Sequence, residues 1–181
     1  MKLNKNFKKL KRLKMYKRLA KPLSYSKVKR SKKSVIAIVI HGSGNRGDSA
    51  KNNIDYFATG NKSEVGAHFF VDRAGLIGRS ITMNRIAWSV GVLYNRSLAK
   101  YWDSLGNMNT VSIELCDIVD KYPSKAQIKS TAKLIRYIRT YCPNVKMLVR
   151  HLDIAGKNCP NSMTKKDTWN KFLEDLKKAG I

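Results

Sequence analysis

Three side chains that commonly bind metal ions fall where the hydrophobic pattern changes from strand to loop. His41 follows the apolar run Val35–Ile40, and His151 follows a second short apolar run. Cys159 comes eight residues later in the same predicted loop. Because ligand sites in open α/β sheets lie where strands run out into loops, we expect the two histidines to be neighbours. Two imidazoles and a thiolate suit Zn²⁺, and three protein ligands leave a fourth position for water, as in catalytic zinc sites.

Each of these side chains also has an ordinary structural interpretation. A single histidine is more often packed or on the surface, and a free cysteine is more often a small buried hydrophobe. The sequence has neither a Cys-x-x-Cys pair nor a His-Glu-x-x-His motif, so the common metal signatures are absent. Spacing alone leaves both interpretations open.

Two charged side chains suit hydrolysis beside such a metal. Glu114 lies in the apolar run Val111–Cys116, where a carboxylate costs desolvation unless it faces a cleft or a charged partner. Lys157 is tethered two residues before Cys159, where its charge would stabilise an oxyanion. The alternatives are an edge position that points to solvent for Glu114 and an ordinary surface lysine for Lys157.

The hydrophobic pattern predicts the elements that hold these side chains. Strands alternate with helices and include one hairpin, so we predict an α/β fold, a single domain with a central mixed β-sheet covered by helices. The predicted elements are strands at 34–40, 110–118 and 145–150, a hairpin over 65–81, and helices at 49–59, 124–141 and 165–178.

The N-terminal residues contribute most of the net positive charge. The chain has 181 residues and a formal net charge of +25, and residues 1–33 contain fifteen Lys or Arg and no acidic residue. Leucines and aromatic residues recur there every three or four positions, which predicts a basic amphipathic helix that ends near Pro22. We therefore divide the chain into a basic arm with its linker, 1–33, in which residues 24–33 are the expected linker, and a domain, 34–181.

Several partners fit a basic amphipathic arm. It suits an anionic membrane surface, anionic cell-wall polymers or the phosphates of a nucleic acid. A solvated arm that only raises solubility has the same composition. Charge alone does not choose among these partners.

Five short motifs carry a resemblance to a known family, in matching order and spacing. They are Ile38–His41, Val65–Asp72, Ala87–Gly91, Ser112–Glu114, and His151 together with Lys157–Pro160. Together they resemble the zinc-dependent N-acetylmuramoyl-L-alanine amidases of the type 2 class, which are related to peptidoglycan recognition proteins. The chain is most similar to the single-domain amidases of phage and prophage endolysins, over about residues 34–176.

The resemblance implies a role for each candidate residue. His41, His151 and Cys159 match the zinc ligands of the family. Glu114 matches the carboxylate that activates the metal-bound water, and Lys157 matches the lysine that stabilises the tetrahedral oxyanion. The implied reaction is hydrolysis of the amide bond between N-acetylmuramic acid and L-alanine in bacterial peptidoglycan, with a zinc-bound water as the nucleophile.

Two positions depart from the family pattern, and two more are candidate substrate contacts. Ala67 stands where some relatives have a catalytic Tyr, which leaves the proton transfer to Glu114, and Ser89 stands where relatives often have His. Trp88 and His68 are candidate substrate-binding residues. For both, packing inside the domain is the alternative.

Two alternative functions remain open, and the sequence also carries an expectation about where the protein acts. The alternatives are a peptidoglycan-binding module that does not cut, and a basic nucleic-acid-binding protein, which is the less favoured partner class. An intact Cys159 argues against the binding module, because non-catalytic relatives typically lack the third ligand. Since no apolar stretch follows the basic residues as in a signal peptide, we expect synthesis in the cytoplasm and endolysin-like release to the wall. We also expect Cys116 and Cys142 to be buried thiols.

Overall fold

The computed structural model describes residues 1–3 and 8–181, and Phe7 of the predicted basic helix lies outside them. The strands are β1 (Tyr16–Lys17), β2 (Tyr25–Lys29), β3 (Ala37–Gly42), β4 (Phe69–Val71), β5 (Ile77–Arg79), β6 (Arg85–Ala87), β7 (Thr110–Leu115) and β8 (Met147–Arg150). The helices are α1 (Ala50–Asp55), α2 (Lys125–Tyr141), α3 (His151–Ala155) and α4 (Lys166–Lys178).

Six strands form one mixed sheet in the order β1-β5-β4-β7-β3-β8. Strands β4, β7, β3 and β8 run parallel, whereas β5 turns back on β4 as the predicted hairpin. Strands β2 and β6 form a separate antiparallel pair. The predicted α/β fold with a mixed sheet is confirmed.

Helices α2 and α4 cover one face of this sheet, as the 3.6-residue period predicts. The side chains of Ile128, Ala132, Ile135 and Ile138 lie in the main core together with the apolar face of α4. Helix α2 begins after Ser124, whose hydroxyl accepts a hydrogen bond from the Gln127 amide at 3.0 Å. The predicted bounds of both helices agree with the structure to within one residue.

The loop predicted after His151 begins instead with the short helix α3. Asp153 accepts a hydrogen bond from the Arg150 amide at 2.8 Å, and the two side chains form an ion pair at 2.6 Å. Because Asp153 satisfies an amide that would otherwise lack a partner at the start of the helix, the chain turns into α3 directly after β8.

The predicted N-terminal helix is wrong for the residues that are described. Residues 8–15 have no helical structure, and β1 pairs with β5. The Leu10 amide and the Lys11 carbonyl instead make hydrogen bonds with side chains of α2, while Leu13 and Met15 contact the main core. Basic residues without acidic partners repel one another along a helix, which destabilises it. Packing against the domain buries the same apolar side chains without a helix.

The predicted linker at 24–33 contains strand β2. Tyr25 pairs with Ala87 and Lys29 pairs with Arg85, and the side chain of Arg30 is only 9% exposed. The polar, basic composition predicted a linker, but this segment is hydrogen-bonded to the domain. No helix in the described parts of the chain, 1–3 and 8–181, is both long and apolar enough to cross a membrane.

Candidate metal centre

The candidate residues meet at the carboxyl ends of the central parallel strands. His41 lies near the end of β3, directly opposite Glu114 of β7 in the strand register. His151 is the first residue of α3, which follows β8 on the other side of β3. This placement confirms the expectation that the two histidines are neighbours.

The side chains of His41, His151 and Cys159 form a buried cluster. One ligand atom of each residue lies within 4.8 Å of the corresponding atoms of the other two. The His41 Nδ1 and Cys159 Sγ atoms are 3.9 Å apart, and the two imidazole ring centroids are 4.6 Å apart. Two imidazoles and a thiol at these distances have the composition of a three-ligand zinc site.

Burial favours the neutral form of all three side chains, which is the metal-binding form of an imidazole but not of a thiol. It lowers the pKa of His151 to about 4 and the pKa of His41 well below its usual value, so both imidazoles are neutral at pH 7. Burial also raises the pKa of the Cys159 thiol to about 12, despite a hydrogen bond from the Gly42 amide at 3.4 Å. A bound cation would favour the thiolate, so the donor set fits zinc.

One ligand already has the outer hydrogen bond that metal-bound histidines usually make. The Nε2 atom of His151 lies 2.6 Å from the carbonyl oxygen of Val90 and donates to it. The remaining ring nitrogen, Nδ1, is therefore the one free to bind a metal ion.

Glu114 has the surroundings of a proton-transfer group. Its Oε1 atom lies 3.8 Å from His41 Nδ1, and its buried Oε2 atom has no hydrogen-bond partner among the described residues. Burial raises the pKa of Glu114 to about 8, while the charge of Lys157 opposes the rise. The carboxyl group can therefore exchange a proton near neutral pH.

Two cavities flank the cluster. One, of about 490 Å³, is lined by Glu114 together with Asn53 and Tyr56. The other, of about 310 Å³, is lined by His151 and Lys157. One cavity therefore adjoins Glu114 and the other adjoins His151.

Lys157 and Trp88 both line the smaller cavity. The ammonium group of Lys157 lies 5.2 Å from the centroid of the Tyr94 ring, which itself stands edge-on to the His151 ring. The structure thus brings Lys157 and Trp88 to the same cavity as His151, a candidate metal ligand.

His68 is placed as a packing residue and not as a substrate contact. It has no exposed surface, and its Nδ1 atom lies 3.0 Å from the hydroxyl of Ser112. Its Nε2 atom lies 3.1 Å from the Arg85 carbonyl oxygen and 3.2 Å from Arg30 Nη2. Both ring nitrogens are therefore engaged inside the domain, and the substrate-binding prediction for His68 is wrong.

The two departures from the family pattern occupy different environments. Ala67 is buried in a small apolar cluster with Ile54 and Phe70. Ser89 lines the smaller cavity, and its amide donates to the side chain of Asn107 at 3.1 Å.

Sequence reasoning missed three contributors to the site: the Val90 carbonyl, Tyr94 and Asn107. All three lie in loops without regular periodicity, and a backbone carbonyl leaves no trace in a residue pattern. The chain order offers no signal that would have placed them beside His151.

A family model and two relatives match most of this chain. The model of the Amidase_2 family, described as N-acetylmuramoyl-L-alanine amidase, matches residues 31–162. The N-acetylmuramoyl-L-alanine amidase CwlL of Bacillus licheniformis is 28% identical over 153 residues, which are 82% of this chain and 42% of CwlL. A probable N-acetylmuramoyl-L-alanine amidase of the same organism is 28% identical over 131 residues, 70% of this chain and 36% of that protein. The chain thus spans well under half the length of these relatives.

Solved structures share the fold at lower sequence identity. PlyL superimposes with a TM-score of 0.71 at 21% identity, covering 93% of this chain and all of PlyL. The catalytic domain of PlyG gives a TM-score of 0.68 at 21% identity, covering 92% of this chain and 95% of that domain. These matches include nearly the whole chain.

Proposed function

Because this chain belongs to the Amidase_2 family of N-acetylmuramoyl-L-alanine amidases, we propose that it cleaves the amide bond between N-acetylmuramic acid and L-alanine in bacterial peptidoglycan. The observation that carries the proposal is the buried cluster of His41, His151 and Cys159 beside the carboxylate of Glu114. A module that only binds peptidoglycan needs neither the three candidate metal ligands nor a buried carboxylate next to them.

His41, His151 and Cys159 are proposed to hold a zinc ion. Bound zinc supplies a Lewis acid that polarises a carbonyl oxygen and lowers the pKa of water. In this proposal Glu114 takes a proton from the attacking water and returns it to the amine of the departing L-alanine. The raised pKa of Glu114 supports both halves of that transfer.

Lys157 and Trp88 are proposed to act on the substrate from the smaller cavity. The ammonium group of Lys157 brings positive charge to the side of the site where an oxyanion forms. The indole of Trp88, half-buried in the same cavity, offers an apolar face to a sugar ring.

The decisive experiment incubates the purified protein with isolated cell walls and measures newly exposed N-terminal alanine. We expect release that a chelator abolishes and added zinc restores. Wall binding without alanine release would leave only the peptidoglycan-binding alternative. Binding to DNA with no action on walls would instead favour the nucleic-acid alternative.

We further propose that the basic N-terminal residues hold the enzyme on anionic polymers of the wall. Lys8, Lys9 and Lys11 are exposed, whereas Leu13 and Met15 contact the core. A membrane-bound helix would need those apolar side chains at its lipid face, so their contacts with the core favour polymer over membrane. In this proposal the protein is made in the cytoplasm and reaches its substrate by endolysin-like release.

A further inference from the structure

A short chain of hydrogen bonds leads away from His151. Its Nε2 atom donates to the Val90 carbonyl oxygen at 2.6 Å, and the Val90 amide donates to Asn107 Oδ1 at 2.8 Å. The same Asn107 oxygen accepts the Ser89 amide at 3.1 Å. One side-chain oxygen therefore fixes two successive backbone amides immediately before the carbonyl that His151 contacts.

The backbone of this segment is irregular, and its other hydrogen bonds to the rest of the described domain lie at its two ends, at Trp88 and Tyr94. Residues 88–94 belong to no strand or helix, and Gly91 has a φ of 69°, a left-handed conformation that favours glycine. Because a loop peptide can rotate, the direction of the Val90 carbonyl depends on what its neighbouring amides bind. Asn107 is the side chain that binds them.

Asn107 is itself held by a buried arginine. Arg30 Nη1 donates to the carbonyl oxygens of Asn107 at 2.7 Å and Met108 at 2.9 Å, and Nη2 donates to that of Thr110 at 2.7 Å. These bonds anchor the loop that precedes β7 to the segment that follows β2. The position of Asn107 is thereby set by the fold and not by its own loop alone.

We propose that Asn107 is a positioning residue for His151: through the Val90 peptide it orients the imidazole so that Nδ1 faces the other two ligands. The inference rests on the proposed metal site. Hydrogen bonds to the outer nitrogen of a metal-binding histidine fix its tautomer and ring direction, and their loss typically weakens metal binding by about 10- to 100-fold.

The chain provides a matched control in the same loop. Asn109 Oδ1 accepts the Gly106 amide at 3.0 Å, and its Nδ2 donates to Ser104 at 2.9 Å. These bonds stabilise the loop without reaching Val90. Asn109→Ala therefore loosens the loop to a similar degree and leaves the bonds to the Val90 peptide in place.

The test measures zinc affinity by competition with a chromophoric chelator, together with the thermal unfolding midpoint of the metal-free protein. We expect Asn107→Ala to weaken zinc binding about tenfold. Asn107→Asp, which keeps an acceptor oxygen, and Asn109→Ala should both bind zinc within about threefold of the unchanged protein. A role in loop stability alone would lower the unfolding midpoint of the two alanine variants and leave zinc affinity unchanged.

Different outcomes would overturn the inference about Asn107 and the proposed zinc-dependent function on which it rests. Unchanged zinc affinity in Asn107→Ala, or an equal loss in Asn109→Ala, would refute the role of Asn107 and leave the proposed function intact. Failure of the unchanged protein to bind zinc would overturn both. If Asn107→Ala does not fold, Asn107→Gln, which displaces the oxygen by one methylene, should show the weakened affinity, and normal affinity there would refute the role.

Discussion

Cys159 shows the cost of burying a thiol that is a candidate metal ligand. Burial, and secondarily the charge of Glu114, raises the pKa of Cys159 to about 12, so the metal-free protein holds the thiol protonated at pH 7. Cys116 and Cys142 are buried as expected, and their pKa values are also raised by burial, but neither belongs to a ligand cluster among the described residues. The cluster with two imidazoles, and not burial, therefore distinguishes Cys159.

The carboxylate of Glu114 yields a prediction at the scale of one residue. Glu114→Gln keeps the size of the side chain and removes its ability to take a proton, so we expect kcat on cell walls to fall about 10²- to 10⁴-fold. Zinc affinity should stay unchanged, because Glu114 is not among the three ligands. The exposed Glu174 provides the control Glu174→Gln, which should retain full activity. Full activity of Glu114→Gln would remove Glu114 from the reaction.

At the scale of elements, the sequence predicted the patterned parts well. Strands β3 and β7 and helices α2 and α4 follow from apolar runs and from a 3.6-residue period. The site could be predicted where it depends on strand ends, because parallel strands bring their carboxyl ends to one edge. The hydrogen bonds of Arg30 and Asn107 could not be predicted from the sequence. The bond from Arg30 to Thr110 joins residues 80 positions apart, and the bond from Val90 to Asn107 joins residues 17 positions apart, and neither pair shares a local pattern.

The N-terminal segment shows why the same pattern misled. Leucines spaced three or four apart describe one face of a helix, but they also occur in an extended chain that packs side chains at intervals onto a domain. The difference is decided by partners elsewhere, here the side chains of Thr140 and Tyr141 on α2. Local spacing holds no information about those partners.

Arg30 follows strand β2 and is hydrogen-bonded to the domain, so its loss should lower the free energy of unfolding. Arg30→Ala leaves the carbonyl oxygens of Asn107, Met108 and Thr110 without their donor, so the free energy of unfolding should fall by about 3 kcal/mol. Arg30→Lys should recover little, because one ammonium cannot reproduce the planar guanidinium. Urea denaturation measures this, and the exposed neighbour Lys29, as Lys29→Ala, should change stability by less than about 0.5 kcal/mol. Equal stability of the Arg30 and Lys29 variants would contradict the role.

The hydrogen-bonded contact between β4 and β7 at His68 predicts a pH dependence. Burial, and secondarily the charge of Arg30, lowers the pKa of His68 from 6.5 to about 3. The unfolded chain therefore binds a proton below pH 6.5 that the folded chain does not accept until about pH 3, so the free energy of unfolding falls as the pH falls between those values.

Urea midpoints measured between pH 7 and pH 4 test this dependence. His68→Asn is expected to be less stable at pH 7 but to lose less stability on acidification, because Asn does not titrate. The same comparison cancels the titration of His41 and His151, which both proteins share. Parallel curves for the two proteins would refute the assignment to His68.

At the scale of the whole molecule, residues 1–33 contribute fifteen of the net charge of +25. Replacing Lys8, Lys9, Lys11 and Lys14 by Gln should weaken binding to isolated walls and reduce its salt dependence. Cleavage of a small soluble muramoyl peptide should be unchanged. The control is the same number of replacements at Lys125, Lys129, Lys177 and Lys178, which are also exposed. Equal losses in both variants would show that total charge, and not the N-terminal residues, governs wall binding.

This experiment uses charge replacement because truncation at Ser34 would remove more than charge. Deleting residues 1–33 would take away β1, β2 and Arg30 along with the lysines. A loss of activity on cell walls could then result from unfolding of the domain as readily as from weaker binding to the wall.

The same segment lies along both edges of the five strands β5-β4-β7-β3-β8, whose outer members are β5 and β8. Lys2 bridges to Met147 of β8 with the Leu3 amide bonded to the Lys146 carbonyl oxygen, while β1 pairs along β5. Unpaired outer strands are templates on which other chains add strands and aggregate. Because the N-terminal backbone occupies part of both strands, these edges are less available for pairing with other chains. The contacts therefore protect against aggregation, and this protection matters most at high protein concentration.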